Sequence, residues 1–135
     1  MTAEELEAFF ESAFPGRGSS TRVAEVGPGR ALVVLEPGEG HLRPGNLVSG
    51  PTQMGLADHA AYAVILAHIG PVAMAVTSNL NYTFLRGVQL ATVQAEARLL
   101  RLGRRLATVD VILWQDDRDR PVGQATVTYA IPDKA

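Results

Sequence analysis

The chain has 135 residues, which suits one domain with a real hydrophobic core, and 47% of its residues are apolar against 19% charged. With 12 Lys and Arg against 14 Asp and Glu, the formal net charge is −2 and no basic stripe stands out, which argues against nucleic-acid binding. The absence of cysteine excludes disulfides, thiolate catalysis and Cys-based zinc sites.

The first ten residues are acidic where a secretory signal would be basic. The most apolar run, residues 56–69, is interrupted by Asp58, His59 and His68 and is too short to span a bilayer. We therefore expect a single cytoplasmic domain over residues 1–135 that does not enter a membrane.

The first elements in chain order are a short helix and a hairpin. Thr2-Ala3-Glu4-Glu5 reads as a capping box, and the following apolar residues have helical spacing, which predicts a helix over residues 3–13 that ends at the Gly-rich residues 15–20. Two strands are predicted at residues 21–26 and 30–35, joined by Gly27-Pro28-Gly29. Residues 36–49 contain several Gly and Pro and are predicted to be a loop.

A long apolar helix follows, with Gly50 near its N-cap, Pro51 at its first position and its end at Gly70. The rest of the chain is typical of strands, predicted at residues 73–85, 89–102, 106–115 and 122–131. In the second of these, apolar residues such as Ala95 alternate with polar ones such as Glu96. This order predicts an α+β protein of the hotdog fold, in which a curved antiparallel β-sheet wraps around one long central helix and a short N-terminal helix is added.

Three segments carry a resemblance to a known family: RPGNLVSGPTQMGLADHAA, AVTSNLNYTFLRG and AEARLLRLGRRLATVDVIL. They resemble hotdog-fold acyl-CoA thioesterases of the phenylacetate-degradation (PaaI-like) type over about residues 40–131. The spacings from Gly50 to Asp58 and from Asp58 to Thr77 agree with the family pattern. The resemblance implies a thioester hydrolase whose substrate is an acyl-CoA, with small or medium acyl groups, aromatic ones included.

The chain departs from the family pattern near the start of the central helix. Ser49 stands where the family usually has His, Pro51 where it has a second Gly, and Arg43 where it often has Asn or Gln. Gly87 replaces a Pro. These departures leave a non-catalytic acyl-CoA-binding hotdog protein as an alternative, and a hydroxyacyl-thioester dehydratase as a weaker one, because that chemistry needs a His paired with the acid.

Asp58 is the candidate catalytic residue because it places a carboxylate in the most apolar helix of the chain. Asp is a mediocre helix former, and burying an unpaired carboxylate is costly, so neither propensity nor packing explains it. The alternative is an Asp on the wet edge of the helix or one satisfied by local donors. As a catalytic group, Asp58 would act on the thioester as nucleophile or general base. By the resemblance, the Thr77 hydroxyl helps to hold the attacking water.

The candidate oxyanion donor is the Gly50 N–H, at a helix start where negative charge is favoured. Gly50 and Asp58 are eight residues apart, which is about 12 Å along one helix. Reacting atoms must approach to about 3–3.5 Å. The two groups therefore act on one carbonyl only across a homodimer, in which each site combines Asp58 with Gly50 of the partner subunit. A dimer of dimers is a further arrangement.

Other residues are candidates for binding the substrate. Ser49 is either a polar contact or, as we prefer, a helix cap, and Asn79 is expected on the same strand face as Thr77. Met54 and Tyr62 lie one turn from Asp58 and line either the acyl pocket or the core. Trp114 is interpreted as packing.

Arginines are candidates for the phosphates of coenzyme A because they offer bidentate donors, although solvated charges on hairpins are the alternative. The candidates are Arg86, Arg101, Arg104 and Arg105, and Arg43 is a further candidate for contact with the substrate. The three histidines show no metal-ligand spacing with Asp58. We expect no metal and no cofactor other than coenzyme A as part of the substrate.

Overall fold

The structure, a computed structural model, describes residues 1–15 and 20–133, so that most of the turn expected at residues 15–20 lies outside the described residues. The N-terminal helix α1 covers Ala3–Ala13, as predicted. Its capping box is complete: the Glu5 N–H donates to Thr2 Oγ1 at 3.1 Å, and the Thr2 N–H donates to Glu5 Oε1 at 2.9 Å.

The strands form one antiparallel sheet and one short ribbon. The six strands of the sheet are β1 Thr21–Gly27, β2 Arg30–Leu35, β5 Val76–Phe84, β6 Val93–Leu102, β7 Leu106–Trp114 and β8 Gly123–Ala130, in the order β1-β2-β6-β7-β8-β5. The ribbon consists of β3 Leu42–Arg43 and β4 Leu47–Val48. The four strands predicted after the central helix are confirmed, and β5 lies at one edge of the sheet.

The central helix α2 covers Gly50–Ile69. Ser49 is its N-cap, because the Thr52 N–H donates to Ser49 Oγ at 3.3 Å, so the helix-cap interpretation of Ser49 is confirmed. Seven consecutive residues from Ala60 to Leu66 are buried. A helix buried at seven positions in a row is enclosed on all sides, and its neighbours are the inner face of the sheet and α1. The predicted α+β architecture, a sheet around one central helix, is confirmed.

The segment expected to be a loop, residues 36–49, contains more regular structure than predicted. A 3-10 turn at Glu39–His41 precedes the β3–β4 ribbon. The tight turn of the ribbon uses two residues with positive φ, Gly45 at 95° and Asn46 at 59°. Gly adopts this conformation freely and Asn is among the residues that tolerate it best, which is why the Gly45-Asn46 turn allows the ends of this segment to pair.

A β-bulge in β5 corrects one prediction. Thr77 lies opposite Tyr129 of β8, but the register shifts between Thr77 and Asn79, so that Asn79 lies opposite Thr128. Because Tyr129 faces the core and successive residues of a strand face opposite sides, Asn79 shares the outer face with Thr128. The expectation that Asn79 lies on the same face as Thr77 is therefore wrong, since simple alternation does not hold across a bulge.

The outer face of the sheet carries a second, smaller apolar cluster formed by Leu32, Val34 and Trp114, which confirms Trp114 as a packing residue. Glu96, predicted on the polar face of β6, lies on this outer face but is only 4% exposed. No helix among the described residues combines the length and the apolar content needed to cross a membrane.

Candidate active site

Asp58 lies half-buried on α2, just before the fully enclosed part of the helix, and it opens into a cleft of about 350 Å³. The walls of the cleft come from α2, from the C-terminal end of α1 and from β5 and β8. Its lining includes Phe14, Tyr62, Val76, Thr77 and Tyr129. A carboxylate thus meets a surface that is otherwise mainly aromatic and apolar.

The Asp58 carboxylate is held at one oxygen by two neutral hydroxyl groups. Thr77 Oγ1 donates to Asp58 Oδ1 at 2.6 Å, and the Tyr129 hydroxyl donates to the same Oδ1 at 2.8 Å. The Tyr129 hydroxyl also lies 3.1 Å from the backbone carbonyl oxygen of Asp58. No residue that the structure describes donates a hydrogen bond to the second oxygen, Oδ2, and none of them forms an ion pair with Asp58.

Tyr129 is a rigid donor that is protonated at neutral pH. Its ring stacks on Tyr62 with centroids 5.7 Å apart and an interplanar angle of 24°. Burial raises the pKa of the Tyr129 hydroxyl far above its usual range, and the adjacent Asp58 carboxylate acts in the same direction. The hydroxyl therefore keeps its proton at neutral pH and can donate it to Asp58.

Aromatic rings continue this stack along one wall of the cleft. Tyr62 stacks on Phe10 at 5.8 Å and meets Phe14 edge-on at 6.1 Å, and the Tyr62 hydroxyl donates to the Ala73 carbonyl at 3.0 Å. Tyr62 is thus both a lining residue and part of the core, while Phe14, at the end of α1, is 43% exposed. The N-terminal helix therefore contributes to the cleft as well as to the fold.

Gly50 opens into a different cleft, of about 430 Å³, which shares no described lining residue with the first. Arg43, Arg86 and Phe84 line this cleft, and the Arg86 guanidinium donates one hydrogen bond to the Pro121 carbonyl at 2.7 Å. A Cβ added to Gly50 would lie 3.1 Å from Phe84 Cζ, so a larger residue here requires a shift of a few tenths of an ångström in the exposed Phe84 ring. No described residue accepts a hydrogen bond from the Gly50 N–H, as expected for the first residue of a helix.

A buried polar chain fixes the start of α2 beside this cleft. The Tyr82 hydroxyl donates to Gln53 Oε1 at 2.9 Å, and Gln53 Nε2 donates to the Val48 carbonyl at 3.2 Å. Gln53 is 5% exposed, and both of its polar atoms are used. These two hydrogen bonds link β5, α2 and the ribbon, and they therefore hold the helix start against the sheet.

The remaining predicted binding residues are spread over the molecule. Met54 is 37% exposed on α2, and Arg104 and Arg105 line a third cleft at the far end of that helix. Arg105 pairs with Asp133 at 3.3 Å. Of the predicted arginines, only Arg43 and Arg86 lie in the cleft of Gly50.

Tyr129 was not predicted as a site residue from the sequence. Its partner Asp58 is 71 residues away, and no local motif connects the two. A signal did exist: the alternation of β8 places a Tyr on the core face, and a buried Tyr hydroxyl needs a hydrogen-bond partner.

Comparisons with known proteins agree with this architecture. A protein of Silicibacter sp. TM1040 assigned as a thioesterase is 39% identical, with a TM-score of 0.88, over 97% of this chain and 92% of that one. A mutant of the phenylacetic acid degradation protein PaaI of Thermus thermophilus is 26% identical, with a TM-score of 0.73, over 93% of this chain and 99% of that one. A hypothetical thioesterase of Streptococcus pneumoniae TIGR4, solved with coenzyme A, is 18% identical, with a TM-score of 0.74, over 86% of this chain and 91% of that one, and at this identity it shows the fold alone. No curated protein matches the chain.

These similarities confirm the hotdog fold and the PaaI-like resemblance. The family model of the thioesterase superfamily matches residues 45–122, which is more than half of the chain. The chain belongs to the thioesterase superfamily and is a thioester hydrolase.

Proposed function

We propose that the protein hydrolyses acyl-CoA thioesters with small or medium acyl groups, aromatic ones included, and that Asp58 is the nucleophile or general base. The observation that carries the proposal is the unequal hydrogen bonding of the two oxygens of the Asp58 carboxylate. One of its oxygens is anchored by two neutral donors, and the other receives no hydrogen bond from the described residues beside an aromatic cleft. A carboxylate that, among residues 1–15 and 20–133, has no cationic partner and no donor to one of its oxygens is suited to attack or to take up a proton.

The chemistry has two courses. As a general base, Asp58 takes a proton from water, whose oxygen adds to the thioester carbonyl carbon. As a nucleophile, its own oxygen adds to that carbon, and water later hydrolyses the resulting anhydride. In either course the C–S bond breaks, the sulfur leaves as a thiolate and takes up a proton, and the products are the free acid and the thiol of coenzyme A.

The negative charge that develops on the carbonyl oxygen needs a donor, and we assign it to the N–H of Gly50 of the partner subunit. Within one chain, Gly50 and Asp58 open into separate clefts, and their spacing on α2 is about 12 Å. A homodimer resolves this separation. Ser49 is already engaged as the helix cap and is not needed as a donor to the substrate.

The edge strand β5 offers a way to form that dimer. It begins next to Thr77, in the Asp58 cleft, and ends at Phe84, in the Gly50 cleft. Antiparallel pairing of two β5 strands would bring the Thr77 end of one subunit to the Phe84 end of the other. The exposed apolar side chains of Val76 and Phe84, 51% and 54% exposed, are consistent with a surface that a second copy covers. A dimer of dimers remains a further arrangement.

We propose that the thiol part of the substrate is coenzyme A, bound in the cleft of Gly50. Arg43 and Arg86 line the cleft of Gly50, and their guanidinium groups suit the phosphates of the nucleotide. The Streptococcus pneumoniae protein was solved with coenzyme A, so a protein of this fold can bind that ligand. Arg104 lies at the far end of α2, and we assign it no role in the site.

The test of the catalytic assignment is the release of free thiol from a panel of short, medium and aromatic acyl-CoAs. Asp58→Asn should lower kcat by about 10²- to 10⁴-fold, the usual contribution of a positioned acid or base. Because asparagine has nearly the same shape as aspartate, the variant should stay folded and should still bind the acyl-CoA. Hydrolysis at the wild-type rate by Asp58→Asn would contradict the proposal, and binding without turnover by the wild type would indicate a non-catalytic binder.

The test of the shared site uses mixed dimers. Gly50→Pro removes the N–H, and the extended conformation of Ser49 (φ −66°, ψ 155°) is compatible with a following Pro. We expect the homodimers of Gly50→Pro and of Asp58→Asn each to lose at least about 10²-fold in kcat. Their heterodimer should recover activity, because one of its two sites combines an intact Asp58 with an intact partner glycine. Inactive heterodimers, or a fully active monomer, would contradict the shared site.

A further inference from the structure

We propose that Tyr129 is a positioning residue of the hydrolysis and that, together with Thr77, it fixes the Asp58 carboxylate at Oδ1 so that Oδ2 is the oxygen that reacts. This inference rests on the proposed function, because it presumes that Asp58 is the reacting group. It adds a residue from β8 to the site and changes the role expected for Thr77.

The two donors are neighbours across the sheet. Thr77 of β5 and Tyr129 of β8 are directly opposed in the antiparallel ladder, and both face α2. Their hydroxyl oxygens lie 2.6 Å and 2.8 Å from the same oxygen of Asp58. The bulge that follows Thr77 turns the next part of β5 over, so that Asn79 cannot replace Thr77 in this pair.

Two donors on one oxygen restrict the rotation of the carboxylate, because a rotation that moves Oδ1 away would break both hydrogen bonds. The Tyr129 donor is itself fixed, since its ring is buried and stacks on Tyr62. Oδ2, which receives no hydrogen bond from the described residues, is then presented in one orientation. Holding a reacting group in its productive geometry is worth about 10- to 100-fold in rate when the displacement is of the order of 1 Å.

Thr77 acquires a different role from the one that the resemblance implied. Its only hydroxyl proton points to Asp58 Oδ1 at 2.6 Å, so it cannot at the same time be donated to a water molecule. Thr77 therefore orients the carboxylate, and any water that it contacts must donate to it. The hydroxyl is the essential part of the side chain, and the methyl group is not.

The experiment compares four variants by steady-state kinetics on the acyl-CoA that the wild type hydrolyses best. Tyr129→Phe and Thr77→Val each remove one donor and keep the shape, and each should lower kcat by about 10- to 100-fold with KM within twofold of the wild type. Thr77→Ser restores the hydroxyl and should lie within about threefold of the wild-type kcat. The matched control is Thr128→Val, which removes a hydroxyl from the neighbouring residue on the outer face of β8 and should leave kcat and KM unchanged.

The results separate this inference from the proposed function. If Asp58→Asn is inactive while Tyr129→Phe and Thr77→Val keep the wild-type kcat, the positioning role is wrong and the catalytic Asp58 stands. If Asp58→Asn is active, both are wrong. A rise in KM at constant kcat in Tyr129→Phe would overturn the inference, because it would make Tyr129 a pocket residue. Should Tyr129→Phe not fold, the contrast between Thr77→Val and Thr77→Ser decides the same question.

Discussion

Glu96 and Asp58 lie on opposite sides of one sheet, Glu96 on its outer face and Asp58 on the helix that packs against its inner face, and their surroundings differ. Glu96, on the outer face, is 4% exposed and accepts hydrogen bonds at both oxygens. Arg30 Nε donates to Oε2 at 2.5 Å, Arg98 Nε lies 3.3 Å from Oε1, and Arg118 also donates to Oε1. Asp58, on α2 beside the inner face, has two neutral donors on one oxygen and no cationic partner among the described residues.

The different hydrogen-bond partners of Glu96 and Asp58 lead to different chemical properties of the two carboxylates. Desolvation by itself would raise the pKa of Glu96, but the hydrogen bonds from Arg118, Arg30 and Arg98 outweigh it and lower the pKa to about 2. A carboxylate that is saturated by cations is a poor base and has no free oxygen with which to attack. Burial of an acid is therefore no sign of catalysis. The informative feature is an acid whose partners leave one oxygen unoccupied beside a cleft.

The largest expected difference is between the two amide variants: Asp58→Asn should lose activity, whereas Glu96→Gln should lose stability. Glu96→Gln keeps the shape of the side chain but removes the charge that three guanidinium groups share, and it should lower the free energy of unfolding by about 2–3 kcal/mol. The kcat for thioester hydrolysis should stay within twofold of the wild type, because Glu96 lies on the face of the sheet away from α2. Urea unfolding at pH 7 and the thiol-release assay measure the two quantities.

The matched control for this exchange is Glu25→Gln. Glu25 also pairs with Arg30, at 3.2 Å, but its side chain is 57% exposed, so its loss should cost no more than about 0.5 kcal/mol. A Glu96→Gln protein as stable as the wild type would show that the arginine cluster contributes nothing. If Glu96→Gln is stable but inactive, both carboxylates are needed for the reaction, and the assignment of a purely structural role to Glu96 is wrong.

Most of the fold follows from local patterns in the sequence. The capping box, the Ser49-Gly50-Pro51 helix start and the alternation in β6 each have a physical cause within a few residues, and the structure agrees with all three. The short β3–β4 ribbon and the bulge at Thr77 could not be predicted, because both depend on pairing between segments. The bulge changed the face assigned to Asn79, which shows how one inserted residue defeats simple alternation.

The site could be predicted only in part. Asp58 is conspicuous because it contradicts its surroundings on a single helix, and such conflicts between residue and setting mark sites. The environment that makes it useful comes from β5 and β8, 19 and 71 residues further along the chain. Glu96 shows the converse: its alternation with apolar residues predicted a polar face, but arginines from three segments bury it. Tertiary contacts therefore decide that Glu96 is paired with arginines and that Asp58 keeps one oxygen without a donor among the described residues.

A smaller, pH-dependent effect should distinguish the wild type from Glu96→Gln. Its pKa is lowered from the ordinary value of 4.5 to about 2 in the folded protein, so its contribution to stability is complete above about pH 5 and is lost as the pH falls toward 2. By pH 3.5 about 1 kcal/mol of this contribution should be lost. Because Gln carries no titrating proton, the gap in unfolding free energy between the wild type and Glu96→Gln should narrow by that amount between pH 7 and pH 3.5. Denaturant unfolding of both proteins across this range measures the gap. A gap that stays constant with pH would mean that the missing charge is not what destabilises the variant, and that the arginine cluster acts through its shape alone.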